Sequence, residues 1–168
     1  MKTVTLNKGS TKQVYIKGNA DFVTDVDYAI SSKVKEALSA LHPEIGLMSE
    51  EGEKLLSDPC WILDPIDGTT NLIFDYRQSS ISLALYQGGR VVFGIVYNPF
   101  TDETFTAELG KGAFLNGNQI QVSAREPKES LVEFGAGSTH KEDADFNFKL
   151  ACDIFKEVVD LRRICSTA

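Results

Sequence analysis

At 168 residues the chain is long enough for one full domain and part of a second. Seventeen basic against twenty-four acidic residues give a net charge of −7, a field that repels nucleic acid and anionic membrane surfaces, and no Lys/Arg block offsets it. The 42% hydrophobic and 24% charged content exclude disorder as the default. No apolar run reaches the ~18 residues of a membrane span, and the N-terminus lacks the apolar core of a secretory signal. Cys60, Cys152 and Cys165 are odd in number and far apart, which argues against a disulfide framework or a zinc knuckle. The expectation is a cytoplasmic, thiol-reduced protein with no nucleic-acid or membrane partner. An anionic substrate stays open, because a bound cation reverses the sign locally.

In chain order, Val26, Ile30, Val34, Ala37, Leu38 and Leu41 recur at helical spacing and predict a helix over Asp25 to Leu41. Thr24 or Asp25 is its N-cap, and His42-Pro43 ends it. Cys60 to Leu63 is a short buried strand, and Pro65, which lacks a backbone donor, is expected to stop it. Ser79 to Tyr86 and Val91 to Tyr97 read as strands joined by the Gln87-Gly88-Gly89-Arg90 turn, and Thr104 to Ala107 reads as another. Asn116-Gly117 predicts a tight hairpin between Ala113–Leu115 and Gln119–Val122. This first part, residues 1–125, is therefore an α+β unit built on a largely antiparallel sheet.

The pattern shifts near Ala124 to Lys128. Leu131 to Phe134 predicts a strand, Asp145 to Val159 a helix with Phe148, Cys152, Phe155 and Val159 on one face, and Leu161 to Ile164 a second strand. Strand, helix, strand over residues 126–168 reads as the incomplete beginning of a parallel α/β domain.

Acids gather in "DFVTDVD" at 21–27, Glu50-Glu51, Asp64 and Asp67. Asp64 follows a buried run, and Asp67-Gly68-Thr69-Thr70 can open a helix, with Gly68 allowing close backbone approach. The N–H groups of Gly68, Thr69 and Thr70 at such a start favour an anion such as phosphate. Carboxylates beside an anion make sense with hard divalent cations between them. With no His or Cys among the acids, oxygen-only ligation points to Mg²⁺ rather than Zn²⁺. Each cluster alone also suits a cap, a turn or a solvated loop, and spacing does not decide whether the clusters meet. Gly135-Ala136-Gly137 lacks the third glycine of a dinucleotide fingerprint. His42 and His140 have no nucleophile beside them, and Cys60 reads as core packing.

Taken together, "DFVTDVD", "SEE" at 49–51, "WILDPIDGTTN" at 61–71, "GIVYNPFTDETFTAELGKGAFLNG" at 94–117 and "RRICSTA" at 162–168 resemble the inositol monophosphatase family. The resemblance implies the N-terminal part of an αβαβα sandwich and a Mg²⁺-dependent hydrolysis of a small phosphomonoester by activated water. It implies two or three Mg²⁺, with Mn²⁺ as a substitute, held by Glu50, Asp64, the Ile66 carbonyl and Asp67. Thr69, paired with Asp27, would orient the attacking water, Glu50 would share in the catalytic set, and Gly68, Thr69 and Thr70 would bind the substrate phosphate. Lys17 matches a basic residue near the site, Glu51 would stand behind the ligands, and a homodimer is in keeping with the family.

The chain also departs from the family pattern. Members are longer at both ends, and a later Trp-Asp pair supplies a further metal ligand, whereas Trp61 is the only tryptophan here. Ser31 stands where Glu is common, Leu72 where Phe is common, and Cys165 where a small glycine is common. The alternative expectation is a catalytically impaired remnant that keeps the fold and weak metal binding as a binding or structural module.

Overall fold

A computed structural model describes residues 13–18, 21–50, 52, 57–135 and 141–164, with the side chains of Lys17, Gly18 and Asp21 left out. Glu51, Ala136, Gly137, His140 and Cys165 lie outside the described residues, and of Lys17 only the backbone is described.

Two strands that the sequence pattern does not announce come first. β1 (Val14–Gly18) pairs antiparallel with β2 (Asp21–Thr24), burying Val14 and Val23. Helix α1 (Asp25–Leu41) then starts and stops where expected, with N-cap Thr24 and C-cap His42. Its apolar stripe is narrower than the spacing suggests. Val26, Ile30, Val34 and Leu38 are half-buried, while Ala37 and Leu41 face solvent and Asp27 is the buried residue.

β3 (Gly46–Ser49), also not foreseen, runs parallel to β4 (Cys60–Asp67). After the short helix α2 (Thr69–Ile73) the chain continues antiparallel through β5 (Ser80–Gln87), β6 (Arg90–Asn98), β7 (Glu103–Glu108), β8 (Gly112–Leu115) and β9 (Asn118–Ile120). The seven strands form one sheet in sequence order, β3 to β9, antiparallel except at the β3–β4 edge. The protein is thus α+β, as expected. Two tight turns are explained by positive φ: Gly88 and Gly89 at 62° and 78°, and Asn116 and Gly117 at 48° and 79°. These are the left-handed positions that a two-residue hairpin requires. Asp58 also clamps the first turn, accepting from the N–H groups of Gly88 at 2.9 Å and Gly89 at 3.2 Å.

α1 packs against β4, whose Cys60, Trp61 and Leu63 are buried, as is Val23 of β2. Trp61 meets Phe93 edge-on at 6.5 Å, a favoured aromatic geometry. Cys60 is fully buried, in keeping with a packing role.

One expectation fails in an informative way. Pro65 does not stop β4, which runs on to Asp67. Pairing with β5 slips there: Asp64 faces Ser82 and Asp67 faces Ser80, so Pro65 and Ile66 together oppose Ile81 alone. This is a β-bulge, one of the places inside a sheet that tolerates a missing backbone donor.

In residues 126–164, β10 (Leu131–Glu133) and β11 (Asp160–Arg162) pair in parallel, with α3 (Ala144–Phe155) between them in sequence. The strand-helix-strand order holds, but α3 is shorter than expected and turns a different face inward. Ala151 packs with Phe134 and Leu161, whereas Phe148, Cys152, Phe155 and Val159 are exposed.

Candidate active site

The bulge decides the site. Along a regular strand, residues three apart point to opposite faces. In β4 the extra residue restores the phase, because the cross-strand partners Ser82 and Ser80 are two apart. Asp64 and Asp67 therefore share one face of the sheet. Glu50 follows the last residue of β3, and its N–H donates to the Leu63 carbonyl at 3.3 Å, which ties that corner to β4. Glu50 and Asp64 line a common cavity of about 360 Å³ with Met48, Ile62, Ser82 and Ala84.

Asp64 reports the electrostatics. Its carboxyl is pushed up to about 6, first by burial and then by the charges of Glu50 and Asp67, against the opposing bond from the Ile66 N–H. That N–H donates to Asp64 Oδ1 at 3.1 Å across Pro65, so the bulge fixes the Asp64 carboxylate and the Ile66 carbonyl together. Among the described residues no three His, Cys, Asp or Glu side chains converge into a tight cage. The donor chemistry nevertheless fits a hard cation: three carboxylates and a backbone carbonyl, all oxygen.

Gly68 follows Asp67 with φ 83° and ψ 41°, a left-handed conformation that explains glycine there, and it is the N-cap of α2. The first-turn amides of a helix have no partner within it, and Thr69 and Thr70 supply them here. The Thr69 hydroxyl lies 3.1 Å from the Ile66 carbonyl and a long 3.5 Å from Asp27 Oδ1. α1 and α2 are thereby brought together across 42 residues of sequence. Asp27 is 2% exposed, held from below by Thr24.

Of the residues singled out in the sequence, the fold thus brings Glu50, Asp64, Ile66 and Asp67 to one end of β3 and β4, and Asp27 to Thr69. Three residues around this end carry more structure than the sequence reading gives them. Asn71 is buried and donates through Nδ2 to the Gln78 carbonyl at 2.6 Å and the Ile164 carbonyl at 2.7 Å. Ser79 Oγ donates to the Gly68 carbonyl at 2.9 Å. Thr24 appears in the sequence only as a cap. Asn71 lies inside the "DGTTN" string, but its partners stand 7 and 93 residues away and leave no signal within the motif.

The chain matches the profile of the inositol monophosphatase family over residues 2–168. It is 40% identical over 131 residues to the inositol-1-monophosphatase of Rhizobium meliloti, covering 76% of this chain and 49% of that protein. The fold is similar to the crystal structure of the extragenic suppressor protein suhB from Bartonella henselae, with TM-score 0.88 and 34% identity over 94% of this chain and 62% of that one. It is also similar to an IMPase/NADP phosphatase complexed with Mg²⁺ and phosphate, with TM-score 0.79 and 25% identity over 92% and 59% of the two chains. The chain spans about half to three-fifths of the length of these relatives.

Proposed function

Because the chain belongs to the inositol monophosphatase family, we propose that it serves the hydrolysis of a small phosphomonoester, inositol monophosphate-like, with Mg²⁺ as cofactor. The observation that carries this reading is the shared face of Asp64 and Asp67 made by the Pro65 bulge. Glu50, Asp64, Asp67 and the Ile66 carbonyl would hold two or three Mg²⁺, with Mn²⁺ as a substitute. When bound, such cations neutralise the phosphate oxygens and acidify water.

The remaining work falls to the chain's own groups. The Thr69 hydroxyl has two acceptors in reach, the Ile66 carbonyl at 3.1 Å and Asp27 Oδ1 at 3.5 Å, and its lone pairs stay available to accept a hydrogen bond from a water and aim that water. Asp27 and the Ile66 carbonyl together limit where the Thr69 proton points. The amides of Gly68, Thr69 and Thr70 bind phosphate oxygens at the start of α2. Glu50 supplies a second carboxylate lining the same cavity as Asp64. The alternative of a catalytically impaired remnant is not favoured, because relatives that share these segments are named inositol monophosphatases.

The test is phosphate release from inositol 1-phosphate, fructose 1,6-bisphosphate and adenosine 3′,5′-bisphosphate, with Mg²⁺ or EDTA, in the native chain and Asp67→Asn. Mg²⁺-dependent release that is lost in EDTA and in the variant is expected. Release that survives either one overturns the reading.

A further inference from the structure

We propose that Thr24 is a positioning residue for the Asp27–Thr69 pair, fixing which oxygen of Asp27 faces Thr69. The inference rests on the reading in which Thr69 orients the attacking water. Thr24 is fully buried, and it gives both of its donors to the same carboxylate oxygen. Its N–H lies 2.8 Å and its hydroxyl 2.5 Å from Asp27 Oδ2. The same hydroxyl accepts the Val26 N–H at 3.2 Å, so its rotation is fixed from both sides. The other oxygen, Asp27 Oδ1, lies 3.5 Å from the Thr69 hydroxyl, which also donates to the Ile66 carbonyl at 3.1 Å.

Capping alone does not account for this residue. The Thr24 N–H to Asp27 bond is the reciprocal half of a capping box, which any N-cap residue's N–H supplies, and a capping box asks of the side chain only that it accept from the first turn. Asp has no proton to give Asp27 and would repel it, whereas a hydroxyl caps α1 and donates to the carboxylate at once. Turning the Asp27 carboxyl group would break both bonds from Thr24 in a buried place. The helix start therefore acts as an orienting group one residue removed from Thr69, as a third group orients the base in other hydrogen-bonded catalytic chains.

The experiment compares Thr24→Val, which keeps the volume and loses the hydroxyl, with Thr24→Ser, which keeps the hydroxyl. The first readout needs neither metal nor substrate: the Hα–Hβ coupling and methyl order of Thr69 by NMR in the native chain and both variants. A single Thr69 rotamer is expected in the native chain and Thr24→Ser, and an averaged one in Thr24→Val. The second readout is phosphate release, where Thr24→Val is expected to lower kcat about 10- to 100-fold with KM within about 3-fold, and Thr24→Ser to restore it. Should Thr24→Val fail to fold, Thr24→Ser decides: an averaged Thr69 there overturns the proposal. An unchanged Thr69 rotamer in folded Thr24→Val overturns it as well. A Thr69 response without turnover in any variant would sink the hydrolysis reading and leave the positioning role standing.

Discussion

Asp64 and Asp67 stand on one face of β4 although three positions separate them, because Pro65 and Ile66 share a single partner, Ile81, across the bulge. Burial and this arrangement give Asp64 its raised affinity for a proton.

The pH dependence follows from the sign of that shift. The Asp64 carboxyl moves from 3.8 to about 6 on folding, so the folded state binds its proton more tightly than the unfolded state. The resulting stability is fully present below about pH 4 and is lost as pH rises through about 6. Two pH units correspond to about 3 kcal/mol, reduced to on the order of 1–2 kcal/mol by solvent screening of this partly exposed group. In urea unfolding with EDTA, Asp64→Asn is expected to be more stable than the native chain at pH 7.5, the gap closing by pH 4. An equal gap at both pH values counts against the assignment. Asp67→Asn removes one of the repelling charges and is expected to lower the Asp64 pKa, measured by carboxyl NMR titration.

Gly68 holds φ at 83°. A side chain in that conformation costs about 1–2 kcal/mol. Gly68→Ala is expected to lose that much in urea unfolding, and to weaken protection by inorganic phosphate beyond the stability loss. A variant as stable as the native chain would contradict the left-handed assignment.

Asn71 uses one amide nitrogen to hold two carbonyls, Gln78 and Ile164, and so links α2 to the chain just beyond β11. Asn71→Ala leaves both acceptors short of a donor in a buried place, a loss of about 1–3 kcal/mol. Hydrogen exchange is expected to speed up in β10 and β11 as well as around α2. Acceleration confined to α2 would show that the Ile164 bond carries no coupling.

The two faces of α3 can be separated by substitution. Phe148→Ser and Phe155→Ser change exposed positions and are expected to stay within about 0.5 kcal/mol of the native chain. Phe134→Ala opens the contact with Ala151 and is expected to cost about 3–5 kcal/mol. Thermal or urea unfolding checks both, and the reverse order would restore the face that periodicity alone suggests.

Some of this structure is legible residue by residue. The bounds of α1, the Gly88-Gly89 and Asn116-Gly117 turns and the helix start after Gly68 follow from caps and left-handed positions that act within a few residues. β1, β2 and β3 are not announced, since "DFVT" reads equally as the approach to a helix and "GLMS" is too short to show alternation. The buried face of α3 departs from the periodicity for a different reason. Both flanks of the helix are apolar, and periodicity favours the larger side chains, whereas packing on β10 and β11 selects the small Ala151.

The sequence by itself determined the chemistry on offer: oxygen donors without imidazole or thiolate, a glycine able to turn left-handed, and threonine hydroxyls beside it. Only the tertiary structure decided that these groups meet. Strand phase would send Asp64 and Asp67 to opposite faces, and it is the slip against β5 that reunites them. Likewise Asp27 reaches Thr69 because α1 packs on β4, a contact between residues 42 apart that no local rule encodes.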